Sequence, residues 1–359
     1  MSASRCLAIM VGLIATLLIA HGHAKDSKSD GKPVFFPPAP DEPHIQYLTS
    51  FSSDDELADI AGKRGFFNFI VGAAKGVHPI VKPYGITVSP GKIYTCDTVG
   101  STVEIADLDT RKMSFFSPAG NGALGLPVNM AVDTDGTRYI ADTKRQQVLV
   151  YKEDNFAGAI GKSDEIKPGG VALTGNRIYV TDLKNHCVRV YDKADRKELF
   201  TFPKAGESNK AAQLYSPTSI AIDPKGRVHV SDTGGFFVNV YDAEGKYLRT
   251  VGGQGLQPGK FALPKGVAVD HDGLIYVGDA TTQVVQIFDA EGRILMYFGD
   301  PSTNKGGSTS LPAGVAVDYD NVKYFQRFVA PGFNLEYLVL VANQTGGRKV
   351  SVFGFGHKK

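Results

Sequence analysis

Acid-type residues recur at matching places along the chain: Asp97, Asp142, Asp182, Asp232, Asp279 and the amide Asn343. Carboxylates in number are the groups of general acid–base chemistry and of hard-cation binding, where several oxygens converge on one ion. Histidine offers zinc ligation or proton transfer, and His44, His78, His186, His229, His271 and His357 follow the first segment of the chain. Six carboxylate-type side chains at equivalent positions exceed the needs of one site. Each ends an apolar run and precedes a polar loop, so the expected role is a turn cap that accepts backbone N–H groups. The histidines do not recur at equivalent positions: His271 falls in a turn, His229 inside an apolar run and His357 in the tail. Neither set marks a catalytic centre, and no cofactor or metal ligand set is expected.

The elements that carry these residues repeat. Residues 263–299 read as four short strands: GVAVD, LIYVGD, VVQIFD and RILMYFG, separated by HDG, ATTQ and AEG. β-Branched and aromatic residues fill the runs and Gly, Asp and Asn the gaps, which suits extended chain and tight turns. A proline opens each copy, at Pro83, Pro127, Pro168, Pro217, Pro264 and Pro312. The recurrent acid ends each second strand, and each third strand carries a Val/Ile-x-Val/Ile pattern, as in Val188/Val190 and Val285/Ile287. Copies of four strands at a period of about 40–50 residues indicate a β-propeller, whose blades bury one another's faces. The fold class is therefore all-β, a six-bladed propeller over residues 45–359.

The last copy departs from the pattern. Residues 322–329 and 335–342, joined by APGFN, read as an extra hairpin, and the chain ends after a third strand at residues 350–355. The run IQYLTSF at residues 45–51 is the spare strand that completes this blade, leaving no open edge. SSDDE at residues 52–56 is an N-cap with an acidic first turn, and predicts a short helix over residues 52–60.

Net charge is only +2, which argues against nucleic acid as a partner. Arg5, an apolar run over residues 7–20 and small residues at Gly22 and Ala24 are laid out as a secretory signal peptide over residues 1–24. The run is shorter than the ~20 residues of a membrane span, and no later segment is long and apolar enough. The expected location is exported, periplasmic or extracellular, with a Pro-rich spacer at residues 25–44 and no span after signal removal. Cys96 and Cys187 lie in different copies and are expected as buried free thiols.

The third copy contains Asn185-His186 ahead of the strand CVRVYD, a Pro-led start with Gly, Val and Ala, and a Tyr-containing second strand ending at Asp182. With the sixfold pattern from Lys82 onward, the chain resembles the NHL-repeat six-bladed propellers of exported bacterial type. The resemblance implies a fold and a habit of binding partners on one face. Enzymatic relatives of that kind gather acids, amides or histidines at the central channel, often on a metal. Here the residues two after each proline, placed at the channel mouth, are Gly85, Asn129, Gly170, Ser219, Gly266 and Gly314. Only two of those side chains offer oxygen, which disfavours a calcium site of lactonase-like type, and the scattered histidines disfavour a zinc lyase of peptide-amidating type.

The loops after the second strands share a face with the proline-led starts. Tyr84, Asn129, Lys144, Arg145, Lys184, His186, Phe236, Phe237, Lys265, Arg348 and Lys349 fall on that face. Basic groups interleaved with aromatics suit an acidic or extended partner. The expected function is a binding scaffold for a protein, peptide or glycan, working as a monomer. The alternative is a metal-dependent hydrolase or lyase acting in the channel.

Overall fold

The computed structural model describes residues 32–60, 78–204, 206–301 and 305–358. Residues 1–24, read as a signal peptide, lie outside the described residues, as does the aromatic run at residues 65–71. Five four-stranded antiparallel sheets and one five-stranded sheet form the six blades. Each blade begins at its proline on an inner strand: Pro83–Ser89, Pro127–Val132, Pro168–Leu173, Pro217–Ile222, Pro264–Val269 and Pro312–Asp318.

The core lies between the blades, in six apolar clusters that each straddle one seam. Val150 of blade two packs in one cluster with Val180 of blade three, and Val190 of blade three with Val230 of blade four. Val240 and Val277 join blades four and five, and Ile287 and Val339 join five and six. Leu340 and Ile93 join six and one, and Ile140 and Cys96 join two and one. Second strands such as Ile275–Asp279 are buried at every position, because each face meets a different neighbour. Polar ties reinforce the seams: Thr143 Oγ1 donates to the Pro168 carbonyl at 2.9 Å, and Thr233 Oγ1 to the Pro264 carbonyl at 2.5 Å.

Ring closure is as the sequence implies. Blade six has the strand order Val34–Phe36, Ile45–Phe51, Val350–Lys358, Phe333–Asn343, Pro312–Asp318. A strand from the chain's start thus pairs with one from its end, with Ile45 opposite Phe355 and Phe51 opposite Val350. Two details differ from expectation. The stretch read as a spacer contributes its own strand, Val34–Phe36, which pairs outside Ile45–Phe51. The alternation of a regular strand, which would set Ile45, Tyr47, Thr49 and Phe51 on one side, fails along Ile45–Phe51, because a bulge at Leu48 lets Tyr47 oppose Phe353 and Thr49 oppose Val352. Ile45 and Tyr47 therefore face the seam with blade five, whereas Leu48 and Phe51 face the seam with blade one.

The expected hairpin in the last copy is corrected. Its first arm is a helical turn, Val322–Phe325, followed by the 3-10 turn Gln326–Phe328. The second arm is one long strand, Phe333–Asn343. Asp318 accepts the N–H groups of Asp320 and Asn321, which curls the chain, and Phe325 is wholly buried against the seam with blade one. The short helix Asp54–Asp59 forms as read, with Ser53 as the N-cap accepting from the Glu56 N–H. Cys96 and Cys187 are free and buried.

Candidate functional site

The recurrent acids are structural clamps. Asp97 is fully buried. Its carboxylate accepts Val81 N–H at 2.6 Å, Lys82 at 2.9 Å, Val99 at 2.8 Å and Gly100 at 2.9 Å. It thereby ties the loop before its blade's proline to the loop after the second strand. Asp142, Asp232 and Asp279 do the same in their blades. Asp182 adds Arg189 Nε at 2.7 Å, and although burial opposes ionisation, Asn185 and Arg189 hold its carboxyl below the usual range. In Asp232 burial prevails over the N–H bonds and the carboxyl is pushed up. Asn343 accepts from Ser310 N–H at 3.0 Å and uses its amide to donate to the Arg348 carbonyl at 2.8 Å.

The channel is a cavity of about 330 Å³ walled by inner strands of all six blades, from Ile86 round to Val317. Most of its wall is Ala, Val and backbone. Asn129 and Ser219 line it, and each oxygen accepts a backbone N–H: Asn129 Oδ1 from Met130 at 2.7 Å, and Ser219 Oγ from Val267 at 3.4 Å. The glycines two after proline serve blade contact. A Cβ on Gly314 would lie 2.5 Å from the Tyr84 carbonyl oxygen, and one on Gly266 2.6 Å from that of Ala313. Neighbouring inner strands touch backbone to backbone there, which only glycine permits. Among the described residues, no three His, Cys, Asp or Glu converge as a metal ligand set. His229 is buried at the opposite end of blade four, with Nε2 3.2 Å from Asp223 Oδ2, and burial lowers its proton affinity.

One residue above the channel lining, the positions directly after the prolines form its mouth: Tyr84, Val128, Gly169, Thr218, Lys265 and Ala313. Only Tyr84, Thr218 and Lys265 are partly open to solvent. Lys265 of blade five reaches over the short Ala313 of blade six and sets its ammonium 4.9 Å from the Tyr84 ring centroid in blade one. Burial pushes the Tyr84 phenol up to about 12. Burial, then the charge of Lys82, lowers the Lys265 ammonium.

The remaining loop-face residues divide by engagement. Arg145 donates to the carbonyls of Ala123 and Asn121, each at 3.0 Å. Lys184 bonds the Asp164 carbonyl, and Lys349 the Gln344 carbonyl at 3.2 Å. Burial lowers the Lys349 ammonium. Lys144 and His186 are exposed, whereas Phe236, Phe237 and Arg348 are half-buried, and Phe237 packs edge-on to Tyr215. The same face exposes apolar side chains that sequence reading passed over: Val81 at 45%, Val99 at 61%, Tyr215 at 50%, Leu256 at 71% and Leu311 at 37%. Their signal was their position, each in a loop that meets or neighbours a clamp.

The sequence pattern of the NHL repeat matches residues 166–191, the heart of blade three, so this six-bladed propeller carries an NHL repeat. No curated protein matches the chain. Among solved structures, a protein of unknown function from Bacteroides thetaiotaomicron shares 16% identity over 87% of this chain and 75% of its own, with a TM-score of 0.58. A streptogramin B lyase shares 13% identity over 77% of this chain and 95% of its own, at 0.52. A chain of the nidogen/laminin complex shares 18% over 62% and 83%, at 0.50. At these identities the likeness is one of fold.

Proposed function

We propose that this chain is an exported binding propeller that engages a protein, peptide or glycan through its loop face, with the sheets as rigid support. The observation that carries the reading is the set of exposed apolar side chains on that face, Val81, Val99, Tyr215, Leu256 and Leu311, set among the cations Lys82, Lys144 and Lys265. Apolar anchors held on clamped loops lose little freedom on binding, and a mixed cationic rim steers an acidic partner. A chain of like fold occurs in the nidogen/laminin complex, which is consistent with a binding role for this scaffold. Export rests on the layout of residues 1–24.

The test compares captures from the source organism's envelope fraction. Baits are the wild type, a loop-face variant carrying Val81→Glu, Val99→Glu and Tyr215→Glu, and an outer-strand variant carrying Leu295→Glu and Tyr297→Glu. The expected result is a partner held by the wild type and the outer-strand variant and lost by the loop-face variant. The same proteins on all three baits, or stoichiometric zinc or calcium lost together with a hydrolytic or lyase activity, overturns the reading.

A further inference from the structure

Lys265 presents an unneutralised charge in a half-buried place. A ring face such as Tyr84's attracts a cation without cancelling its charge. Lys82 is exposed and near enough for its charge to act on Lys265. Among the described residues neither ammonium pairs with a carboxylate. Asp97, which meets the Lys82 backbone, is buried beneath four N–H groups. Two cations on one rim, one of them half desolvated, are an arrangement that a bound anion relieves.

The surroundings narrow the anion. The N–H groups of Val81 and Lys82 go to Asp97, those of Ala262 and Leu263 to Asp279, and that of Ser310 to Asn343. The two ammonium groups remain to meet a ligand. Lysines meet anions as point charges, and neither a guanidinium fork nor the backbone N–H groups just named add the extra bonds that favour a phosphate. A carboxylate needs only what two lysines supply. Val81, Val99 and Leu311, exposed on the loops of blades one and six, offer apolar flanks that a free ion would not use.

We propose that the channel mouth is a carboxylate subsite: Lys265 and Lys82, floored by the Tyr84 ring, receive an acidic side chain from an extended peptide segment of a protein partner. This rests on the loop face being the binding face. The peptide lies across blades one and six, with neighbouring apolar side chains on Val81, Val99 and Leu311, and its acid enters over Ala313.

The probe is fluorescein-labelled hexaglutamate, followed by anisotropy at low salt. Saturable binding is expected, weakened about tenfold in Lys265→Met and in Lys82→Met. Lys225→Met, in the opposite turn of blade four, should bind as the wild type does, and all variants should keep its melting midpoint. Absence of saturable binding, or equal affinity in Lys265→Met, overturns the subsite. Displacement by inorganic phosphate at concentrations where acetate does nothing overturns the carboxylate assignment. If hexaglutamate fails while the loop-face variant still loses its captured partner, only the subsite falls; if capture is also independent of the loop face, the wider reading falls with it.

Discussion

The hydroxyls of Tyr276 and Tyr337 lie 2.6 Å apart across the seam between blades five and six, and Tyr337 donates to Asp270 Oδ2 at 2.7 Å. Tyr337 can donate only once, so Tyr276 donates to it and the chain runs from Tyr276 through Tyr337 to the buried carboxylate. Tyr337→Phe removes the link and leaves Asp270 one partner short, at a cost of about 1–3 kcal/mol. Burial, followed by the neighbouring phenol and Asp270, pushes the Tyr337 phenol far up. A folded-state value raised above the unfolded ~10 gives stability that is complete below that pH and declines as pH rises above it. Denaturant titrations at pH 8 and pH 11 should show a smaller loss for Tyr337→Phe than for the wild type.

Glu104 predicts a second pH dependence, in a milder range. It is 2% exposed, and its Oε2 has no hydrogen-bond partner. Burial, then the charge of Asp97, pushes its carboxyl from 4.5 to about 9. The sign is that of a raised acid: stability is complete below 4.5 and falls as pH rises toward about 9. Glu104→Gln should flatten melting midpoints measured between pH 5 and pH 9. An unchanged slope would show that Glu104 is ionised when folded.

The clamps are not interchangeable. Asp279→Asn turns an NH2 toward the N–H group of Ala262, or toward those of Leu263, Thr281 and Thr282, and should cost about 1–3 kcal/mol. The reciprocal Asn343→Asp sets a carboxylate against the Arg348 carbonyl and should also destabilise. Urea unfolding of both single variants checks this. Neutral behaviour in either would mean that the amide and acid forms are equivalent.

Gly314→Ala should destabilise by about 1–3 kcal/mol, because its Cβ would meet the Tyr84 carbonyl at 2.5 Å and the inner strands of blades six and one would have to part. Gly175→Ala, whose Cβ would meet nothing within 4 Å, is the control. Paired thermal melts decide it.

Much of the architecture was legible because the same constraints recur in every blade. Proline at the start, acid at the second strand's end and Val-x-Val in the third are each demanded by a clamp or a seam, so six copies display them. What was not legible depends on single events. The bulge at Leu48 changes which seam Phe51 enters, yet IQYLTSF alternates no differently from an unbulged strand. Val322, Tyr324 and Phe325 favour strands by propensity, and the turn at Asp318 together with the buried place for Phe325 overrides them. The mouth was half legible. Tyr84 and Lys265 were both marked for the loop face, but their meeting depends on ring closure, which brings blades five and one to either side of Ala313. Arg145 and Lys184 looked free because the carbonyls that hold them belong to loops remote in sequence.

Pairing Ile45–Phe51 with Val350–Lys358 also sets an order in time. During synthesis the first strand leaves the ribosome early and finds its partner only after some three hundred residues more, so contacts of this separation form late and slowly. Until then the strand holds Ile45, Leu48 and Phe51, all buried in the finished ring, beside an unpaired edge that other chains can take up. A nascent chain stalled before Val350 would carry five assembled blades and an open sixth. The residues that close the circle are therefore the last to find their partners.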